Sequence, residues 1–179
     1  KFEEAKVLVD DAHVLAESAG DVRVRATADL VRMHARLDTA EAGSWSDATA
    51  KLTTEIIPLL EKEGAHAELA RAWRLIALTM QIAGALGTAS EAILKVVSHA
   101  RTAGDDRLLA RSALGLTFTA LYGPTPVDQA LQQCEEFVSG QMRDRQVQGL
   151  IMCKLAQLRA MKGEFENART MYRQARAML

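Results

Sequence analysis

Four histidines, His13, His34, His66 and His99, are the side chains best suited to metal ligation or proton transfer. A metal site within one helix needs ligands at i and i+3 or i+4, so that they share a face. No histidine stands at that distance from another histidine or from Cys134 or Cys153, and no preformed metal site is expected. The two cysteines flank Gly140 unequally. In an antiparallel hairpin Cys134 would face roughly residue 147, about one and a half turns from Cys153, so buried apolar thiols are expected rather than a disulfide. The acidic pairs Glu3-Glu4, Asp10-Asp11, Asp105-Asp106 and Glu135-Glu136 suggest acid–base work only until their geometry is considered. Adjacent residues point about 100° apart on a helix, so these carboxylates diverge into solvent, and Asp105-Asp106 suits a helix N-terminus. There is no G-x-x-x-x-G-K-[ST] phosphate loop. No catalytic residue, cofactor or metal is assigned.

Charge narrows the partner classes. The chain carries 22 Lys and Arg against 23 Asp and Glu, a net charge of −1, which argues against nucleic acid as a global electrostatic partner. The charge is uneven: residues 141–179 hold 8 basic and 3 acidic side chains, the basic ones being Arg143, Arg145, Lys154, Arg159, Lys162, Arg169, Arg173 and Arg176. Few aromatics interleave with them, so solvated faces or contact with an acidic neighbouring domain are expected before nucleic acid. Five of the seven methionines also fall there, as core or as a stacking face. No apolar run approaches the roughly 18 residues of a membrane span. Cysteines set inside helical patterns fit a reducing, cytoplasmic setting.

The elements that must position these groups are helices. The chain is 49% hydrophobic with 4% aromatic residues, rich in Ala and Leu, with 3 prolines, so helix formers dominate over strand formers. A frame G-x-aromatic-x-x-A stands at Gly163, Phe165 and Ala168 and again at Gly43, Trp45 and Ala48. A weaker copy lies at Gly87, Ala89 and Ala92, and Gly123 and Ala130 keep the ends of the frame around a Pro-x-Pro turn. The marker alanines recur at intervals of 44, 38 and 38 residues, the signature of stacked helical hairpins. Breaks are expected at Gly20, Gly43, Gly64, Gly87-Thr88, Gly104, Gly123-Pro124, Gly140 and Gly163. Ser44, Ser46, Thr88, Ser90, Asp105 and Thr125 are the N-cap candidates. About nine antiparallel helices follow, in one domain over 1–179: a half hairpin at 1–19, then hairpins at 21–63, 65–103, 105–139 and 141–179. The chain starts at Lys1 and reads as a slice of a longer protein that opens in mid-hairpin.

Leu155-Ala156, then Gly163, Phe165, Ala168, Tyr172 and Ala175, resemble the tetratricopeptide repeat. The resemblance implies a right-handed α-α superhelix in which small residues let paired helices approach. Trp73, Ile76, Ala77 and Met80 match the core slots of the family's first helix. Leu114, Gly115 and Phe118 match three of those slots in the next hairpin, and Arg111 takes the fourth. That register implies a partner-binding concave face containing Arg71, Arg74, Gln81, Ser112, Thr119 and Gln157. Arginines on rigid helices suit carboxylates, because the guanidinium fork donates two parallel hydrogen bonds.

The stretch YGPTPVDQALQQCEEF at Tyr122–Phe137, with the run at Ala160–Arg169, resembles the helical-repeat region of large bacterial signalling proteins. Those join a class III adenylate/guanylate cyclase or another output domain to an ATPase module. The resemblance implies a non-catalytic, cytoplasmic interaction module with a protein, a peptide or another domain of its parent as partner. A structural spacer or homo-oligomerisation module and a small-molecule inducer-binding repeat domain are the alternatives.

Overall fold

The computed structural model describes residues 2–37, 44–138 and 145–179. Among these residues all regular structure is helical and no strand occurs. The helices are α1 (Phe2–Ala19), α2 (Val22–Leu37), α3 (Ser44–Lys51), α4 (Ile57–Lys62), α5 (His66–Ile82), α6 (Leu86–Ala103), α7 (Asp106–Tyr122), α8 (Val127–Val138), α9 (Arg145–Met161) and α10 (Phe165–Arg176). A π-helical turn, Leu52–Ile56, joins α3 to α4 as one rod, so the described residues form the nine rods expected. The wide turn sits beside Pro58, which has no N–H to give its own helix. Just before it the Ile57 N–H reaches the Leu52 carbonyl, while the Thr53 and Thr54 hydroxyls donate to carbonyls one turn back.

One turn chemistry recurs at Gly20, Gly64, Gly84, Gly104 and Gly163, each with positive φ. In each, the N–H after the glycine reaches the carbonyl five residues before itself: Asp21 to Ala16 at 2.8 Å, Ala65 to Leu60 at 3.0 Å, Ala85 to Met80 at 2.9 Å, Asp105 to Ala100 at 3.0 Å and Glu164 to Arg159 at 3.0 Å. This is the Schellman closure, which satisfies the orphan carbonyls of one helix. The next helix starts at once, so consecutive helices run antiparallel.

Two expectations are corrected. The break assigned to Gly87-Thr88 lies at Gly84, and Gly87, Thr88 and Ser90 are inside α6. The true frame there is Gly84, Leu86 and Ala89, which repeats Gly163, Phe165 and Ala168 with Leu in the aromatic slot. Of the N-cap candidates, Asp105 accepts the Leu108 N–H at 2.9 Å. Thr125 does not cap α8: the first helical bond runs from the Ala130 N–H to the Pro126 carbonyl. Gly43, Gly140, Met142 and Arg143 lie outside the described residues. Gly123 ends α7 in extended backbone, where any Cβ would fall 2.3 Å from the Thr119 carbonyl oxygen.

Each turn pair packs tightly, α1 on α2, α5 on α6, α7 on α8 and α9 on α10. The first helices also touch in succession, α2 to α5 to α7 to α9, and each second helix packs on the next first helix. Fully buried alanines, among them Ala72, Ala89, Ala113, Ala130 and Ala156, mark where rods come closest. Around them Leu60, Leu69, Leu116, Ile151 and Leu158 form one core running from α2 to α9. A buried carboxylate, Glu68, is held by the Arg23 guanidinium at 3.0 and 3.1 Å, tying α2 to α5. Ala168 is buried, as expected from its place in the Gly163-Phe165-Ala168 frame.

Gly84→Ala tests the corrected turn. Its added Cβ meets no atom within 4 Å, so only the left-handed backbone, at φ +75, opposes it. We expect a loss of about 1 kcal/mol, read as a lower urea midpoint at unchanged slope; an unshifted midpoint would contradict the turn.

Candidate functional site

The turn glycines give a common reference for aligning the helices beside them. Gly104 follows Gly64 by 40 residues, which maps the α5 core positions Trp73, Ile76, Ala77 and Met80 onto Ala113, Leu116, Thr117 and Ala120 of α7. All four of the latter are buried. Gly163 follows Gly84 by 79 residues, which maps Ile76 and Ala77 onto Leu155 and Ala156, also buried.

In α7 the expected register was therefore two residues off. Gly115 does not fill the small core slot: Leu114 and Gly115 are half-buried and Phe118 and Arg111 are exposed. The slip also misplaced two site residues. Ser112 and Thr119 are buried rather than groove-facing, and their hydroxyls donate to the Leu108 and Leu116 carbonyls at 2.7 and 3.0 Å. Gln81 is half-buried near the end of α5 and lies beside Gly115 of α7. Gln157 is half-buried on α9, and its buried Oε1 accepts no hydrogen bond.

Arg71 and Arg74 do face a common space, with companions not foreseen. A groove of about 380 Å³ runs between α2, α5 and the start of α7. Leu30, Leu75 and Leu108 are its buried floor. Arg71 and Arg74 enter from α5, Arg107 and Arg111 from α7, and His34 from α2. Arg111 is the 40-residue equivalent of Arg71, so aligning the turns would have found it. Among the described residues none of the four arginines has a hydrogen-bond or ion-pair partner, whereas Arg23, Arg32 and Arg159 are all paired with carboxylates. One acid, Asp105, also lines the groove, where its carboxylate accepts the Leu108 N–H at 2.9 Å. Burial first, and then the charge of Arg111, lowers the Arg74 pKa. The groove thus sets four arginines against the one carboxylate of Asp105, a net positive concave lining able to take carboxylates or other anions in bidentate geometry.

Asp29 collects His13 at 3.4 Å, Lys51 at 3.2 Å and Arg32 at 3.9 Å, pinning α1 and α3 to α2. The Cys134 thiol is buried and pushed up to about 12, by burial and then by Glu135, so it is not a nucleophile. Cys153 is also free. His66 and His99, 33 residues apart in sequence, stack with ring centroids 5.3 Å apart and Nδ1 atoms 3.0 Å apart. Sequence spacing within one helix could not reveal that pair. Among the described residues no group of three or more metal-ligating side chains occurs.

Two predictions follow from the charges. Arg111→Gln removes the cation that opposes Arg74. We expect the variant to be more stable at low salt by ~0.5 kcal/mol, with the gain fading as salt is added; a loss of stability at low salt would contradict the repulsion. His99 has a lowered pKa from burial first, then from His66, with Lys95 acting the same way and Glu61 opposing. The unfolded chain then binds this proton at the higher pH, so stability falls as pH drops below about 6.5. His99→Gln should flatten that slope in thermal melts across the range; an unchanged slope would place its origin elsewhere.

No family model, curated protein or solved structure matches this chain.

Proposed function

We propose that the chain is a non-catalytic helical-repeat module whose hairpins wind into a right-handed superhelix of the tetratricopeptide kind. Its inner row is α2, α5, α7 and α9, and its role is to bind an acidic segment of a protein, of a peptide or of another domain of its parent. In this reading it is the regulatory part of a bacterial cytoplasmic signalling protein with a nucleotide-cyclase or ATPase output. The observation that carries the binding role is the groove holding Arg71, Arg74, Arg107 and Arg111 without an anionic partner. Arg74 is half-buried and opposed by the charge of Arg111, and a bound carboxylate would offset that repulsion. The succession of contacts along α2, α5, α7 and α9 supports the superhelix. Among the described residues no helix is long and apolar enough to cross a membrane.

One observation favours a second reading. Val7, Leu8, Val14 and Leu15 leave a large apolar strip exposed on α1, which suits a spacer or oligomerisation module. That reading does not require the arginines.

The test is anisotropy of a labelled peptide bearing consecutive glutamates. The folded double variant Arg71→Glu/Arg74→Glu should bind at least about tenfold more weakly, and wild-type binding should weaken with salt. Undiminished binding by the double variant would move the site to the basic α9–α10 end.

A further inference from the structure

The arginine groove occupies only one half of the face it lies on. On α5, Arg71, Arg74, Leu78 and Ile82 recur at helical spacing along one side, and on α7 the same side carries Arg107, Arg111, Phe118 and Tyr122. Both helices pass from arginine in their first half to large apolar side chains in their last turns. The 40-residue register makes Leu78 equivalent to Phe118 and Ile82 equivalent to Tyr122, and the 79-residue register adds Met161 of α9. Ile82, Tyr122 and Met161 are 63%, 56% and 64% exposed, and Phe118 is 40% exposed. Large apolar residues exposed at one repeat position in three successive hairpins form a row, unlike the scattered surface apolars of most proteins. Part of the row is already ordered. Phe118 and Tyr122 pack with ring centroids 5.0 Å apart, and the Lys154 ammonium of α9 lies 5.2 Å from the Tyr122 ring centre.

We propose that this face is a bipartite peptide site: the arginine groove takes an acidic cluster, and the row of Phe118, Tyr122, Ile82 and Met161 takes an apolar side chain of the same peptide. The proposal rests on the acidic-segment reading above and adds a second specificity element at a set distance. From Arg111 to Phe118 and to Tyr122 the helix rises about 10 and 16 Å. An extended peptide covers that in about three to five residues. The occupant is an extended segment with clustered Asp or Glu and one aromatic or large aliphatic residue three to five positions away. Aromatic surfaces held in place before binding give up little side-chain entropy to the ligand.

Three labelled peptides test it on the wild-type protein by anisotropy: consecutive glutamates with a tryptophan about four residues on, the same peptide with serine for tryptophan, and one with the tryptophan moved next to the glutamates. The spaced tryptophan peptide should bind about tenfold more tightly than the other two. Phe118→Ala/Tyr122→Ala, checked for native helicity, should erase that advantage and leave the serine peptide unchanged. Equal binding of all three, with Arg71→Glu/Arg74→Glu weakening each, would overturn the bipartite site and leave the acidic-segment reading standing. No binding of any of them would overturn both.

Discussion

The left-handed glycine closure is the constraint on which the rest of this molecule depends. In five turns a single glycine reverses the chain, and the following N–H ties back to the carbonyl five residues before it. A turn this short leaves the next helix no freedom except to run antiparallel against the last. Two such reversals, at Gly84 and Gly104, return the chain to its starting direction after about 40 residues, so α5 and α7 lie side by side and parallel, and α9 packs on α7 in turn. Equivalent positions then face the same way. That is why Arg71 and Arg111 share a groove and why Ile82, Tyr122 and Met161 share a row. The alanines at the crossings permit the close approach, and the larger aliphatic residues fill what remains.

The groove sets function against stability. Three other arginines are ion-paired: Arg23 clamps the buried Glu68, Arg32 meets Asp10, and Arg159 bridges Glu135 and Glu164. The Arg23–Glu68 clamp joins the same two helices, α2 and α5, that form one side of the groove. Removing Arg23 would strand a buried carboxylate, which is far costlier than losing a surface pair. The four groove arginines make no such ion pair, and Asp105 is the one carboxylate that lines the groove with them. Rigid, unpaired cations over an apolar floor are what binding sites retain at some cost to folding.

Much of the fold was legible because helix periodicity and terminal glycines are local signals. The number of rods, their antiparallel order and the burial of Ala77, Ala156 and Ala168 all follow from them. The errors came where two glycines competed. Gly87 stands three residues after Gly84, and only backbone geometry separates a first-turn helical glycine from a left-handed cap. Gly115 imitated the small core residue of the repeat, so Ser112 and Thr119 were read as groove residues although the turn register buries them. Arg71 and Arg74 line one groove because the helical spacing of α5 sets both on one side. Arg111 is legible only once the turns are aligned; Arg107 and His34 reach the groove, and His66 meets His99, through packing between helices that no local pattern encodes.

The central claim is that the arginine-bearing face of α2, α5 and α7 is the ligand surface. Its most direct test is an NMR titration with an acidic peptide, observing the arginine Nε–Hε resonances, each assigned by substitution. The account predicts that Arg71, Arg74, Arg107 and Arg111 shift together along one saturating curve while Arg173 and Arg176 on α10 stay still. Shifts confined to the α10 arginines, with the groove resonances unmoved, would contradict it.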